Sequence, residues 1–185
     1  MATESKTAKK VSKQEAPATA PKTIRDHALS VDIGITDKDL ERLVHELNAI
    51  LANNTLLAVK TKNYHWNVTG IQFNELHKFF EKQYNQLAQF QDEVAERIRQ
   101  LGGRPLGNMQ QFIAHATLRE EERDKLDAIS MLRSLLADHE EVIKQMRETV
   151  EASEEKYGDA GTADFVTGLM EEHEKMAWMI RAMCE

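Results

Sequence analysis

The feature that most constrains this chain is an unbroken helical stripe. Phe73, Leu76, Phe80, Tyr84, Leu87, Val94, Ile98 and Leu101 recur at threes, fours and sevens, the period of one helix face. No proline interrupts the run, and Gly102-Gly103 followed by Pro105 ends it. Four residues of metal-ligating type, His77, Glu81, Asp92 and Glu96, sit inside the same pattern.

At 100° per residue, with His77 as zero, Glu81 falls near ~40°, Asp92 near ~60° and Glu96 near ~100°, so all four share one face. They cannot share one ion within one helix, because His77 and Asp92 are about 22 Å apart at ~1.5 Å per residue. The helix therefore carries two half-sites, His77/Glu81 and Asp92/Glu96, each an i, i+4 pair able to reach one point. A second copy, antiparallel across a twofold axis near residue 86 or 87, brings its Asp92/Glu96 over the first copy's His77/Glu81. Such a C2 contact completes two identical sites at once. Mixed imidazole and carboxylate ligands suit iron or another first-row metal better than calcium. Taken singly, each residue also fits a solvated helix face, and His77 beside Leu76 and Phe80 also fits a core histidine. Four together on one face favour metal.

Just upstream the chain reads His65-Trp66-Asn67, then a turn at Val68-Thr69-Gly70. HWNVTG, then F-x-x-L-H-x-x-F-E and D-E-V-A-E-R, resembles the signature of the Dps family, the DNA-binding proteins from starved cells, which are miniature ferritins. The motifs span Lys62 to Arg97, and the likeness continues more loosely to the C-terminus. The resemblance implies a ferroxidase site of His65, His77 and Glu81 from one subunit with Asp92 and Glu96 from its twofold partner. It also implies a hollow dodecamer built on C2 dimers. Glu81 departs from the family, where Asp is the commoner residue; its extra methylene bears on the metal–metal distance and the second metal's hold.

The first 25 residues have a different composition. They are rich in Lys, Ala, Thr and Ser and carry almost no large apolar residues, so they read as a disordered tail before a domain at 26–185. Lys6, Lys9, Lys10, Lys13, Lys22 and Arg25 against Glu4 and Glu15 give the tail a net +4, which leaves −11 for the rest of a chain of net −7. Such an arm either binds duplex DNA by neutralising phosphates, repeated on every subunit, or acts only as a solubilising tail. No stretch approaches ~18 uninterrupted apolar residues and no signal-type apolar segment opens the chain. Cys184, the single cysteine, permits no intrachain disulfide and fits a reducing cytoplasm. The expected location is cytoplasmic, in association with the nucleoid if the tail binds DNA.

A hydrophobic fraction of 41 % with three prolines and eight glycines predicts an all-α globular domain. Thr36 is the expected N-cap of a first helix running to His65, with Asp37 and Asp39 in its first turn. Trp66 is expected to pack, Asn67 to serve the turn, and Lys62 and Tyr64 to lie at the surface or an interface. A short helix is expected over Met109–His115, where His115 is structural, then a third main helix over Glu120–Lys156 and a fourth capped by Thr162. Met176, Trp178, Met179 and Met183 are assigned to packing. Neither later helix contains Glu-x-x-His, so the intrachain di-iron site of larger ferritins is not expected. His139 and His173, each beside acids, read as solvated or salt-bridged. Asp164 falls where the resemblance places the acids of a threefold pore; it equally suits a helix N-terminus.

The fold expected is thus a ferritin-like four-helix bundle, up-down-down-up, with a short extra helix in the crossover between helices two and three. The function implied is oxidation of Fe(II), with hydrogen peroxide as oxidant and oxygen as a slower one, and storage of Fe(III) that protects DNA. Zn or Mn are competing metals. The alternatives are a non-specific DNA-compacting protein acting through the tail, and a helical scaffold with vestigial ligands.

Overall fold

The computed structural model describes residues 31–123 and 126–185. The basic tail with Lys6, Lys9, Lys10, Lys13, Lys22 and Arg25, and its boundary at 25/26, lie outside the described residues. Five α-helices follow in order: α1 (Asp37–Asn67), α2 (Phe73–Gln100), α3 (Met109–His115), α4 (Ala128–Glu151) and α5 (Ala160–Met183). A π-helical turn, Ala152–Lys156, extends α4. No strand occurs among the described residues, and no helix there is long and apolar enough to cross a membrane.

Helix α1 starts where the sequence indicates. The Thr36 hydroxyl accepts from the Asp39 amide at 3.3 Å and donates to its carboxylate at 2.6 Å, satisfying one orphan N–H of the first turn. Contacts between side chains fix the directions of the four long helices. His65 meets His77, so α1 and α2 form an antiparallel hairpin. Lys60 Nζ lies 2.6 Å from Asp138 and Asn53 Nδ2 lies 2.6 Å from Gln145, which sets α4 antiparallel to α1. Gln86 meets Glu172 and Arg97 meets Asp159, which sets α5 antiparallel to α2. The bundle is up-down-down-up, as expected. Leu43, Leu47, Ile50, Leu57, Phe80, Leu87, Ile98, Leu132 and Leu135 are fully buried between the helices. Burial of each such side chain stabilises by about 1.5–3 kcal/mol.

Because α2 and α4 run parallel, residues 101–127 must travel the length of the bundle. Two buried asparagines of α1 hold this crossover. Asn48 Oδ1 accepts from the Leu106 amide at 2.9 Å, and Asn53 Oδ1 accepts from the Thr117 and Leu118 amides at 2.9 and 3.1 Å. Between them lies α3, capped by Asn108.

Several expectations are corrected. The third main helix begins at Ala128 rather than Glu120, because Asn53 captures the amides of Thr117 and Leu118 and Tyr64 captures Glu121. Asp127 then caps α4 through the Ser130 amide at 2.9 Å. The cap of α5 is Asp159, whose carboxylate accepts the Thr162 amide at 3.0 Å; Thr162 itself is buried one turn inside. Tyr64, expected at the surface or an interface, is buried within the chain, and its hydroxyl donates to Glu121 at 2.5 Å. His139 and His173, expected to be solvated or salt-bridged, are both 0 % exposed and face each other in the core. Trp66, Trp178 and Met183, expected to pack, are exposed in the single chain, while Met176 is buried.

Candidate metal centre

Helix α1 stops at Asn67, and the turn to α2 passes through Gly70 at φ +112°, a conformation costly for any residue with a Cβ. This reversal lays the end of α1 on the start of α2. His65, 7 % exposed, and half-buried His77 stack with ring centroids 3.7 Å apart and planes inclined by 21°. His65 Nδ1 lies 2.8 Å from the His77 carbonyl oxygen, and His77 Nδ1 lies 2.9 Å from that of His65. A carbonyl only accepts, so both rings must carry their proton on Nδ1. In the neutral ring Nε2 is then the atom that keeps a lone pair for a metal, with the backbone fixing tautomer and orientation. The His65 carbonyl belongs to the last turn of α1, where no helical N–H reaches it, so His77 also satisfies an orphan acceptor.

Aromatic side chains hold the stack from outside. Phe73 lies against His77 at 5.1 Å, and Tyr84 meets His65 edge-on at 5.2 Å with the Lys62 ammonium 4.7 Å from its ring centre. Sequence reasoning left these supporting roles out, although Phe73 and Tyr84 lie at i−4 and i+7 from His77, within its face. Glu81, Asp92 and Glu96 are exposed along α2. Their i, i+4 spacings give each pair one side of the helix, and the two pairs stand a long way apart along it. Among the described residues of one chain, no three His, Cys, Asp or Glu side chains converge as a metal site. The structure brings His65 to His77 and leaves Asp92 and Glu96 as a separate pair.

Next to Glu96, Arg97 turns inward. Its Nη2 lies 3.2 Å from both Asp159 oxygens and its Nε 3.1 Å from Thr162 Oγ1, tying the end of α2 to the start of α5. Burial raises the Asp159 carboxyl, but hydrogen bonds from Thr162 and the Arg97 charge outweigh it and hold the group below its ordinary range. Asp164 is exposed in the first part of α5. His115 bonds to the Gln111 carbonyl within α3, at 2.9 Å, consistent with a structural role.

Residues 44–185 match the ferritin-like domain family. The chain is 32 % identical over 142 residues to DNA protection during starvation protein 2 of Bacillus anthracis, covering 77 % of this chain and 96 % of that one. It belongs to the Dps family. This Dps chain is also 46 % identical over 155 residues to an uncharacterised low temperature-induced protein of Nostoc, covering 84 % of this chain and 87 % of the relative. Its structure resembles the archaeal Dps homologue of Halobacterium salinarum with a TM-score of 0.79 at 32 % identity, covering 93 % of each chain. The Dps protein of Vibrio cholerae, described as a member of a superfamily of ferritin-like diiron-carboxylate proteins, matches with a TM-score of 0.79 at 31 % identity over 90 % of this chain and 100 % of its own.

Proposed function

We propose that this Dps protein is a ferroxidase that takes Fe(II) as substrate at a site shared by two subunits and stores the ferric product. The observation that carries the reading is the reciprocal pair of Nδ1 hydrogen bonds between His65 and His77. It leaves two imidazole lone pairs beside Glu81, while Asp92 and Glu96 stand on the same helix, too distant to join them except across a twofold axis. His65, His77 and Glu81 of one subunit hold Fe(II) with Asp92 and Glu96 of the other. Three carboxylates offset the cationic charge and stabilise Fe(III) more than Fe(II).

Hydrogen peroxide is the oxidant in this reading, with oxygen slower. Each of two Fe(II) ions gives one electron, the O–O bond breaks, and two protons complete two waters. Both electrons leave together, so no hydroxyl radical is released, which is how DNA is spared. The product collects in a hollow homo-oligomer, a dodecamer of C2 dimers, and Asp164 supplies carboxylates to a pore that concentrates Fe(II). Zn and Mn compete for the same ligands. The protein acts in the cytoplasm.

The anaerobic titration of Fe(II) with limiting peroxide tests this. Wild type consumes about two Fe(II) per peroxide, and Asp92→Ala slows the reaction at least tenfold. Dissociated Asp92→Ala and His77→Ala subunits, reassembled together, regain activity, because each mixed dimer holds one intact site. Failure of that complementation excludes the shared site; oxidation no faster than iron in buffer excludes the function.

The tail supports a second activity. Its net +4, repeated around an oligomer, favours non-specific DNA binding through Lys6, Lys9, Lys10, Lys13, Lys22 and Arg25, in association with the nucleoid. A chain lacking residues 1–25 should lose salt-sensitive retention of duplex DNA; retention unchanged at low salt rules the arm out.

A further inference from the structure

His139 of α4 and His173 of α5 meet in the middle of the bundle, with Nδ1 atoms 3.0 Å apart and no exposure of either side chain. One shared proton accounts for that contact. The ring that donates it is left with a bare Nε2 and the other with an Nε2–H, and neither atom finds a partner. A buried polar atom left without a partner in this way destabilises the fold. The surroundings are uncharged and soft. Met170 and Met176 lie three residues before and after His173, both buried, so Met-x-x-His-x-x-Met shares one face of α5. The Phe90 ring closes α2's side at 5.5 Å. Gln83, on the Phe90 face of α2, is also buried with both amide atoms unpartnered.

We propose that His139 and His173, with a thioether of Met170 or Met176, form a Cu(I) site in the bundle core, apart from the His65/His77 centre. The two Nδ1 atoms aim at one point, and each can sit ~2.0 Å from a single ion after a small ring rotation. The donor set is neutral. A buried divalent ion with no carboxylate bears a desolvation cost that grows with the square of its charge, so a monovalent ion is preferred. Hard cations want oxygen ligands, whereas thioether beside imidazole selects Cu(I). Burial also keeps both rings unprotonated at neutral pH, His173 down to about 3 and His139 well below its ordinary value, so no proton competes with the ion.

The test uses full-length, metal-free protein carrying His65→Ala and His77→Ala to silence the other imidazole pair. It is equilibrated anaerobically with Cu(I) against bicinchoninate, and copper retained per chain is read from the chelator's colour. One Cu(I) per chain is expected, with X-ray absorption showing nitrogen and sulfur neighbours, and no retention of Zn(II) under the same competition. Met170→Leu with Met176→Leu keeps volume and apolarity and should weaken binding about tenfold or more; His173→Gln should abolish it. Copper retained equally by all variants, Zn(II) held as tightly as Cu(I), or an absorption spectrum without sulfur each overturns the site. Where His173→Gln does not fold, the methionine variant and the spectrum decide.

Discussion

His65 and His77 each donate Nδ1–H to the other's backbone carbonyl, at 2.8 and 2.9 Å, across the reversal that joins α1 to α2. Each ring is held by the main chain of its neighbour, so the pair is set before any metal arrives. Loop, helix ends and ligand nitrogens form one unit.

Replacing His65 by Asn should therefore have two effects. It removes an Nε2 ligand and one of the two locking hydrogen bonds, lowering anaerobic Fe(II) affinity at least tenfold and stability by about 1–2 kcal/mol. Glu81→Gln, at an exposed position, should weaken Fe(II) binding while stability stays within about 0.5 kcal/mol. Calorimetric titration and urea denaturation separate the two. Equal losses of stability in both variants would refute the lock.

The core histidines make stability depend on pH. Burial holds His139 well below, and His173 down to about 3 from, the ordinary 6.5. Both stay neutral in the folded chain while the unfolded chain takes up protons below pH 6.5, so stability falls as pH drops from 6.5 towards 3. At pH 5 each ring costs about 2 kcal/mol relative to pH 8. Urea midpoints of wild type at pH 8, 6.5 and 5 should fall in step, and His139→Leu with His173→Leu should flatten the series. A wild-type midpoint unchanged between pH 8 and 5 contradicts the burial of these rings.

Tyr64 joins the hairpin to the crossover. Burial first, then the Glu121 carboxylate, pushes its phenol far above the ordinary 10, while Arg123 foremost holds Glu121 down to about 2. Of the three tyrosines, one should thus fail to ionise in an alkaline absorbance titration until the chain unfolds. Tyr64→Phe should remove that silent group and cost about 1 kcal/mol, since Glu121 keeps Arg123. Three tyrosines titrating together in the folded wild type would place Tyr64 in solvent.

Two positions test how the crossover is held. Asn53→Ala leaves the Thr117 and Leu118 amides without their acceptor and should cost about 2–3 kcal/mol in urea denaturation. A Cβ at Gly103 would stand 2.5 and 2.7 Å from the two methyls of Val44, so Gly103→Ala should cost about 1–3 kcal/mol by overpacking. A neutral effect at either site would mean the segment is anchored elsewhere.

The extents of α1 and α2, α3, the turn at Gly70 and the ligand spacings were legible in the sequence. Each is a local pattern: a stripe at helical period, a capping residue, a glycine where φ is positive, two residues one turn apart. Even the separation of the half-sites needed only the helical rise. The start of α4 was not legible, because Glu121 and the amides of Thr117 and Leu118 go to Tyr64 and Asn53, more than fifty residues earlier. His139 and His173 do fall on the buried stripes of their helices, Leu132-Leu135-His139-Val142-Met146 and Val166-Leu169-His173-Met176-Ile180, but the acids flanking each made it read as solvated or salt-bridged. Sequence settled what each helix offers, since neighbours within a turn decide it. Tertiary structure settled which polar groups lose their water, since that depends on the facing helix and its register.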